Sequence, residues 1–186
     1  PNIEDYLSSV QMGLWMPLSR AHGKTPREPW QYGDMALKEV KKWINFRHRL
    51  VPYLYHAACQ SHQSGIPMIR PLVMEYPKDP IAKIQNLSYM LGDAFLISPG
   101  FDRDEYELYL PEGRWQDIES KEVYEGMTFV HIENKAFADG GTSLRVFQKE
   151  GTSIPLFAQK EVLHVPAQLW KQEDLEFMTF QKKDVD

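Results

Sequence analysis

Apolar positions near the start of the chain recur at helical spacing. Ile3, Leu7, Val10 and Leu14 fall on one face, Asn2 can cap it, and Glu4 and Asp5 suit its first turn. The pattern predicts a helix over 2–14, with Gly13 placed to end it. Leu14-Trp15-Met16-Pro17-Leu18 is a short apolar run that reads as a buried strand. Ser19 to Trp30, with two prolines and a glycine, reads as a loop. A long helix is predicted from Asp34, as N-cap, to Ser64, with Gly65 and Pro67 as the stop. Leu37, Val40, Ile44, Val51, Leu54 and Ala58 trace its apolar face, widened by Trp43, Phe46, Leu50 and Tyr53. So wide a face predicts a helix largely covered by other structure. Pro52 cannot donate to the carbonyl of His48, so a kink is expected there rather than an end. Asp79 and Pro80 open a further predicted helix over 79–91.

From residue 94 the period changes to that of strands. Strands are predicted at 94–98, 106–110, 128–132, 144–148, 154–158, 162–165 and 175–180, with a turn at 111–114 and the chain resuming at Trp115. Short strands at such spacing suggest an antiparallel sandwich. The front, read as strand, loop and helix, is the repeating unit of a (β/α)8 barrel, but is too short to be a whole one. The fold class expected is therefore α/β plus all-β. Residues 1–66 are the end of a barrel, 67–93 a connecting segment with a short helix, and 94–186 an antiparallel β-sandwich.

Composition narrows the function classes. The chain has 186 residues, 21 Lys and Arg against 26 Asp and Glu, and a net charge of −5. That balance disfavours nucleic acid as a partner. Aromatic content of 12% rules out disorder as a description of the whole chain. No apolar run is long enough to cross a membrane as a helix. Cys59 is the single cysteine, so no internal disulfide and no Cys-based zinc site can form. It is expected to be a buried, inert thiol. A reducing compartment is compatible with it, and a cytoplasmic location is the expectation. Pro1 follows no initiator Met, and Lys182 to Asp186 mark no element end, so the chain reads as a piece of a longer protein.

Candidate chemistry is sparse. In Ser19-Arg20-Ala21-His22-Gly23, Arg20 and His22 alternate sides of an extended segment. One would face a pocket while the other braces the loop. A neutral imidazole donates one hydrogen bond and accepts another, which suits neighbouring sugar hydroxyls. A loop histidine that satisfies backbone groups explains the same residues. Trp30 could stack on a sugar face or fill a gap at the barrel end. His48, His56 and His62 do not share a helix face, so no metal site is expected, and no cofactor. Among carboxylates, Glu75, Asp79, Asp93, Asp102, Asp104 and Glu105 read as turn and cap residues, and none forms the pair that a glycosidase needs. There is no phosphate loop, nucleophile elbow or HExxH.

Five segments in order then point to a family. Ser19-Arg20-Ala21-His22-Gly23 with Pro29-Trp30 resembles the stretch that closes the catalytic barrel in glycoside hydrolase family 31, the family of α-glucosidases and α-xylosidases. Arg47 to Tyr55 is similar to its R-x-x-L-x-P-Y-L-Y helix, and Gly65 to Leu72 to its G-x-P-x-x-R-P-L segment. Tyr89 to Leu96 resembles its Q-Y-M-L-G-D stretch, with Ser88 where Gln is usual. Tyr109 to Trp115 matches its Y-L-P-x-G-x-W hairpin. Departures are Gly100, where Val is common, and Ala158-Gln159-Lys160-Glu161, where V-x-x-G is frequent. The resemblance implies a retaining α-glycosidase acting on terminal α-linked glucose or xylose. Its two catalytic aspartates are expected upstream, so this chain supplies none. His22 matches the family histidine that binds the sugar, and Arg20 has a supporting place. R-A-H-G leans towards the α-xylosidase-like branch. The implied partners are an oligosaccharide or glycoside substrate and the rest of the chain's own barrel, with homo-oligomerisation left open.

The alternative, of another class, is a free-standing β-sandwich carbohydrate-binding or interaction module. Tyr106, Tyr109, Trp115 and Tyr124 would then form an exposed aromatic row, whereas a domain packed on a barrel buries them.

Overall fold

The computed structural model describes residues 2–100, 104–134, 144–158 and 170–182. The expected strand at 162–165, and Asp102, Arg103 and Gln159 to Glu161, lie outside the described residues.

Helix α1 spans Ile3–Leu14 and is capped as its sequence predicts: Asn2 Oδ1 accepts from the Asp5 amide at 2.8 Å. It buries Tyr6, Leu7 and Gln11, and its apolar residues meet Ala36 and Val40 of helix α2, Asp34–Arg49. Helix α3 follows at Val51–Ser64. Leu50 stays in the right-handed helical region, and the Leu54 amide donates back to its carbonyl at 3.1 Å. Pro52 thus breaks the ladder without turning the chain away, as expected of a kink. Gly65 ends α3 in the left-handed conformation, with φ of 76°.

Three expectations at the front fail. Gly33, not Asp34, occupies the cap of α2, and no side chain bonds there. The buried face keeps Val40, Leu50 and Tyr53 of the predicted set and adds Ala36 and Ala57, while Leu37 and Ile44 are exposed. Residues 14–18 form no strand. Trp15 and Met16 close α1 with amide bonds to Met12 and Gly13. A barrel strand exists only within a ladder, and among the described residues no strand runs beside this segment.

The back half is an antiparallel β domain, as expected. Ten strands are described: β1 (Ile69–Pro71), β2 (Tyr89–Leu91), β3 (Phe95–Pro99), β4 (Glu105–Leu110), β5 (Arg114–Asp117), β6 (Val123–Glu125), β7 (Thr128–Glu133), β8 (Leu144–Lys149), β9 (Thr152–Phe157) and β10 (Leu175–Phe180). Six form one sheet in the order β1-β2-β3-β8-β5-β6, and β4-β7 and β9-β10 form two ribbons. The central strand β3 is buried on both faces, and its alternation sorts the core. Phe95 and Ile97 face a cluster with Trp15, Leu50, Tyr53, Val146, Ile154 and Leu156. Leu96 faces the other way, onto Tyr106, Leu108, Trp115, Ile132 and Phe147.

The predicted helix over 79–91 is absent. Asp79 Oδ1 accepts from the amides of Ile81 and Ala82, at 2.8 and 3.2 Å, so the cap signal is genuine. It stops after one turn because Tyr89, Met90 and Leu91 are taken into the sheet, opposite Pro71, Arg70 and Ile69 on one side and Ile97, Leu96 and Phe95 on the other. The short helix α4, Leu72–Glu75, lies between β1 and β2 instead.

Helix α3 bonds the sheet at the β2–β3 turn. The Tyr53 hydroxyl donates to the Leu91 carbonyl at 2.6 Å and accepts from the Ala94 amide at 3.2 Å. Between them Gly92 sits at φ of 58°, and a Cβ there would lie 2.4 Å from the Tyr53 hydroxyl. Arg70, buried, bonds the Pro67 carbonyl at 2.8 Å, Glu75 at 2.8 Å and Asp93 at 2.7 Å. Burial opposes its charge, but the two carboxylates outweigh burial and raise its pKa. At the back of the joint, Arg49 donates to the Phe157 carbonyl at 3.0 Å and pairs with Glu176.

Tyr53→Phe should lower the unfolding free energy by about 1–3 kcal/mol, because two buried backbone groups lose their partner. Gly92→Ala should also destabilise, through both the contact and the positive φ. In the Tyr53→Phe background the Gly92→Ala penalty should shrink. Urea unfolding of the four-member cycle checks this, and purely additive effects would contradict the joint.

Candidate functional site

Arg20 and His22 lie on the segment between α1 and a 3-10 turn at Pro29–Tyr32, and both are exposed. Trp30, on that turn, is 63% exposed. All three therefore present side chains at the surface of the helical half, and none fills a gap in the described structure.

The segment is tied at both ends. At its start, Arg47 of α2 donates to the Leu14 carbonyl and, at 3.1 Å, to the Pro17 carbonyl. At its end, the Tyr6 hydroxyl donates to the Arg27 carbonyl at 2.9 Å, and the Tyr32 hydroxyl to the Pro26 carbonyl at 3.0 Å. The two tyrosine rings stack, with centroids 3.8 Å apart and planes 5° from parallel. Arg47 was visible in the sequence only as a motif residue. The Tyr6–Tyr32 pair had no local signal, since the two rings come from different elements.

The carboxylates fall where turn and cap roles put them. Glu75 and Asp93 both serve Arg70. Asp79 caps its turn and accepts from the Tyr109 hydroxyl at 2.7 Å. Burial pushes Asp79 up, but its bonds from Tyr109, Ala82 and Ile81 outweigh this and hold its pKa below the ordinary 3.8. Burial, and then Asp79, push Tyr109 up to about 12, so it stays a donor. Asp104 and Glu105 are exposed. His48 is half-buried on α2, while His56 and His62 are exposed on α3. Among the described residues no group of three or more His, Cys, Asp or Glu side chains could hold a metal. Cys59, expected to be buried, is half-buried and free.

A cavity of about 400 Å³ lies elsewhere, between the helices and the sheet, with Trp15, Trp43, Phe46, Asp117 and Arg145 in its lining. His22 takes no part in it. No helix among the described residues is long and apolar enough to cross a membrane.

The aromatics of the β domain decide between the two classes weighed from sequence. Tyr106, Tyr109 and Trp115 are buried, and the Trp115 indole donates to the Pro111 carbonyl at 2.8 Å. Only Tyr124 is half-exposed among the four. They form no exposed binding row, because they fill the β domain's own core.

A helical unit carrying an Arg-Ala-His-Gly loop, docked on an antiparallel β domain, matches two family models in succession. Residues 4–57 match the TIM-barrel domain of glycosyl hydrolases family 31. Residues 65–161 match the C-terminal domain of the same family. The chain belongs to glycoside hydrolase family 31. It is 33% identical over 162 residues to neutral alpha-glucosidase AB of Homo sapiens, across 83% of this chain and 17% of that protein. A 1,6-alpha-glucosyltransferase of Sporosarcina globispora is 31% identical over 160 residues, across 83% of this chain and 12% of that one. The cycloalternan-forming enzyme of Listeria monocytogenes, solved with a pentasaccharide substrate, superposes with a TM-score of 0.79 at 29% identity, over 97% of this chain and 18% of that chain. This chain thus spans less than a fifth of the length of each of these three.

Asp79→Asn should cost about 1 kcal/mol at pH 7, discounted for partial exposure. The carboxyl titrates lower in the folded state than in the unfolded one, so its contribution is complete above the ordinary 3.8. It is lost as pH falls through the folded-state value. Unfolding curves of wild type and Asp79→Asn should therefore converge in acid, and a constant gap down to pH 2 would contradict this role.

Proposed function

We propose that this chain is the C-terminal part of a retaining α-glycosidase that removes terminal α-linked glucose or xylose from oligosaccharides. The observation that carries the reading is the order of the two family matches: barrel end first, C-terminal β domain second. The short share of each relative that the chain spans supports placing the catalytic aspartates outside it. So does the lack of an unengaged carboxylate pair among the described candidates: Glu75 and Asp93 serve Arg70, Asp79 caps a turn, and Asp104 and Glu105 are exposed. The exposed apolar side chains Leu18, Leu37 and Ile44 suit a face covered by the rest of the barrel.

His22 is the residue that touches substrate in this reading. Its exposed place on a loop tied at both ends leaves the imidazole free to donate to one sugar hydroxyl and accept from another. The sugar distorts towards an oxocarbenium-like transition state, and hydrogen bonds that strengthen there raise kcat/KM. Arg20, exposed on the same loop, keeps only the supporting place that the resemblance gives it. The glucosyl chemistry named for the two curated relatives supports glucose, while the R-A-H-G form of the loop keeps xylose in the substrate class.

The 186-residue chain alone should release no p-nitrophenol from α-glucoside or α-xyloside substrates. Turnover that scales with purified chain would overturn the placement of the aspartates. In the full-length enzyme, His22→Ala should lower kcat/KM by more than tenfold, or roughly 1.5–3 kcal/mol of transition-state stabilisation, with little change in Tm. A kcat/KM within twofold of wild type would remove His22 from the site.

A further inference from the structure

We propose that Tyr6 and Tyr32 are positioning residues that hold the His22 loop in its binding conformation. This rests on the sugar-binding role proposed for His22. The ties described above flank residues 18–25, all of which are exposed. An exposed segment of this length gains little from burial, so its ends decide how far its apex wanders.

Arg47 fixes the outgoing end and the tyrosine pair the returning end. Tyr6 is buried against Leu7, Ala36 and Val40, so its ring cannot move without opening the α1–α2 contact. Tyr32 lies flat on it, and the two hydroxyls take the carbonyls of consecutive residues, Pro26 and Arg27. Burial, followed by the neighbouring Tyr32, raises the pKa of Tyr6, which keeps its hydroxyl a donor. A backbone carbonyl is gripped, not a side chain, so the clasp sets the path of the loop rather than its chemistry. Both hydroxyls are taken by these backbone carbonyls.

Losing a clasp hydroxyl should lower the fraction of enzyme with His22 in place. Apparent affinity falls with that fraction, while saturating substrate restores it. Tyr32→Phe and Tyr6→Phe keep the ring stack and delete one bond each. In the full-length enzyme each should raise KM for a p-nitrophenyl glycoside about threefold to tenfold with kcat within twofold. Trypsin cleavage after Arg20 and Lys24, both exposed, should quicken by a similar factor. Tyr32→Phe keeps the test open if Tyr6→Phe, at a buried site, does not fold.

His22→Ala, measured alongside, separates the two ideas. If it leaves kinetics unchanged, the sugar-binding role fails, and the KM effect with it. Faster cleavage after Arg20 and Lys24 in the hydroxyl variants would then still support a clasp. If His22→Ala loses activity while the folded Tyr→Phe variants keep wild-type KM, the positioning role is overturned and His22 stands. Wild-type cleavage rates after Arg20 and Lys24 would overturn the clasp itself.

Discussion

The hydroxyl of Tyr53 is the contact on which the helical half and the β domain both depend. It is buried between a carbonyl it donates to and an amide it accepts from, on the two sides of the β2–β3 turn. The turn can come that close only because residue 92 is glycine. Burial pushes the Tyr53 pKa well up, so the donor persists at any working pH. Arg70 reinforces the turn from outside through Asp93 and Glu75. Helix α3, the hairpin and the connecting segment therefore meet through polar groups in an otherwise apolar core, where each must be satisfied.

That joint explains why the family resemblance is so plain in a chain with so little chemistry. Arg47, Leu50 and Tyr53 of the helix motif, Arg70 of the R-P-L segment, Gly92 and Asp93 of the G-D pair, and Tyr109 and Trp115 of the hairpin all hold one piece of structure to another. They are specific because packing and hydrogen bonding leave each position few alternatives. His22 is the exception: it is exposed, and its motif is the shortest. Its candidacy comes from place on a loop, which is where binding residues concentrate on a rigid scaffold.

Residues 14–18 show what an apolar run does where no strand among the described residues pairs with it. The apolar run survives as packing, with Trp15 against Phe46 and Phe95 at centroid distances of 5.7 and 5.4 Å. Its carbonyls turn to Arg47 in place of neighbouring strands. Backbone groups near a core need some partner, and a guanidinium that can donate to two carbonyls at once is well suited.

What could be read from the sequence alone was local or ordered. The alternation of apolar residues located most strands of the β domain, Asn2 and Gly65 set the helix ends, Pro52 set the kink, and the succession of motifs set the family. Tertiary structure decided the rest. It ended the capped turn at Asp79 by drawing Tyr89–Leu91 into a sheet, and buried Ala36 in place of Leu37 on α2 and Ala57 in place of Ala58 on α3. It also brought Tyr6 onto Tyr32 beside the candidate loop. The reason is physical. Caps, stops and periodicity depend on backbone groups within a few residues of each other. Which surface a helix buries, and which carbonyl a distant hydroxyl finds, depends on the surfaces that meet once the chain has folded.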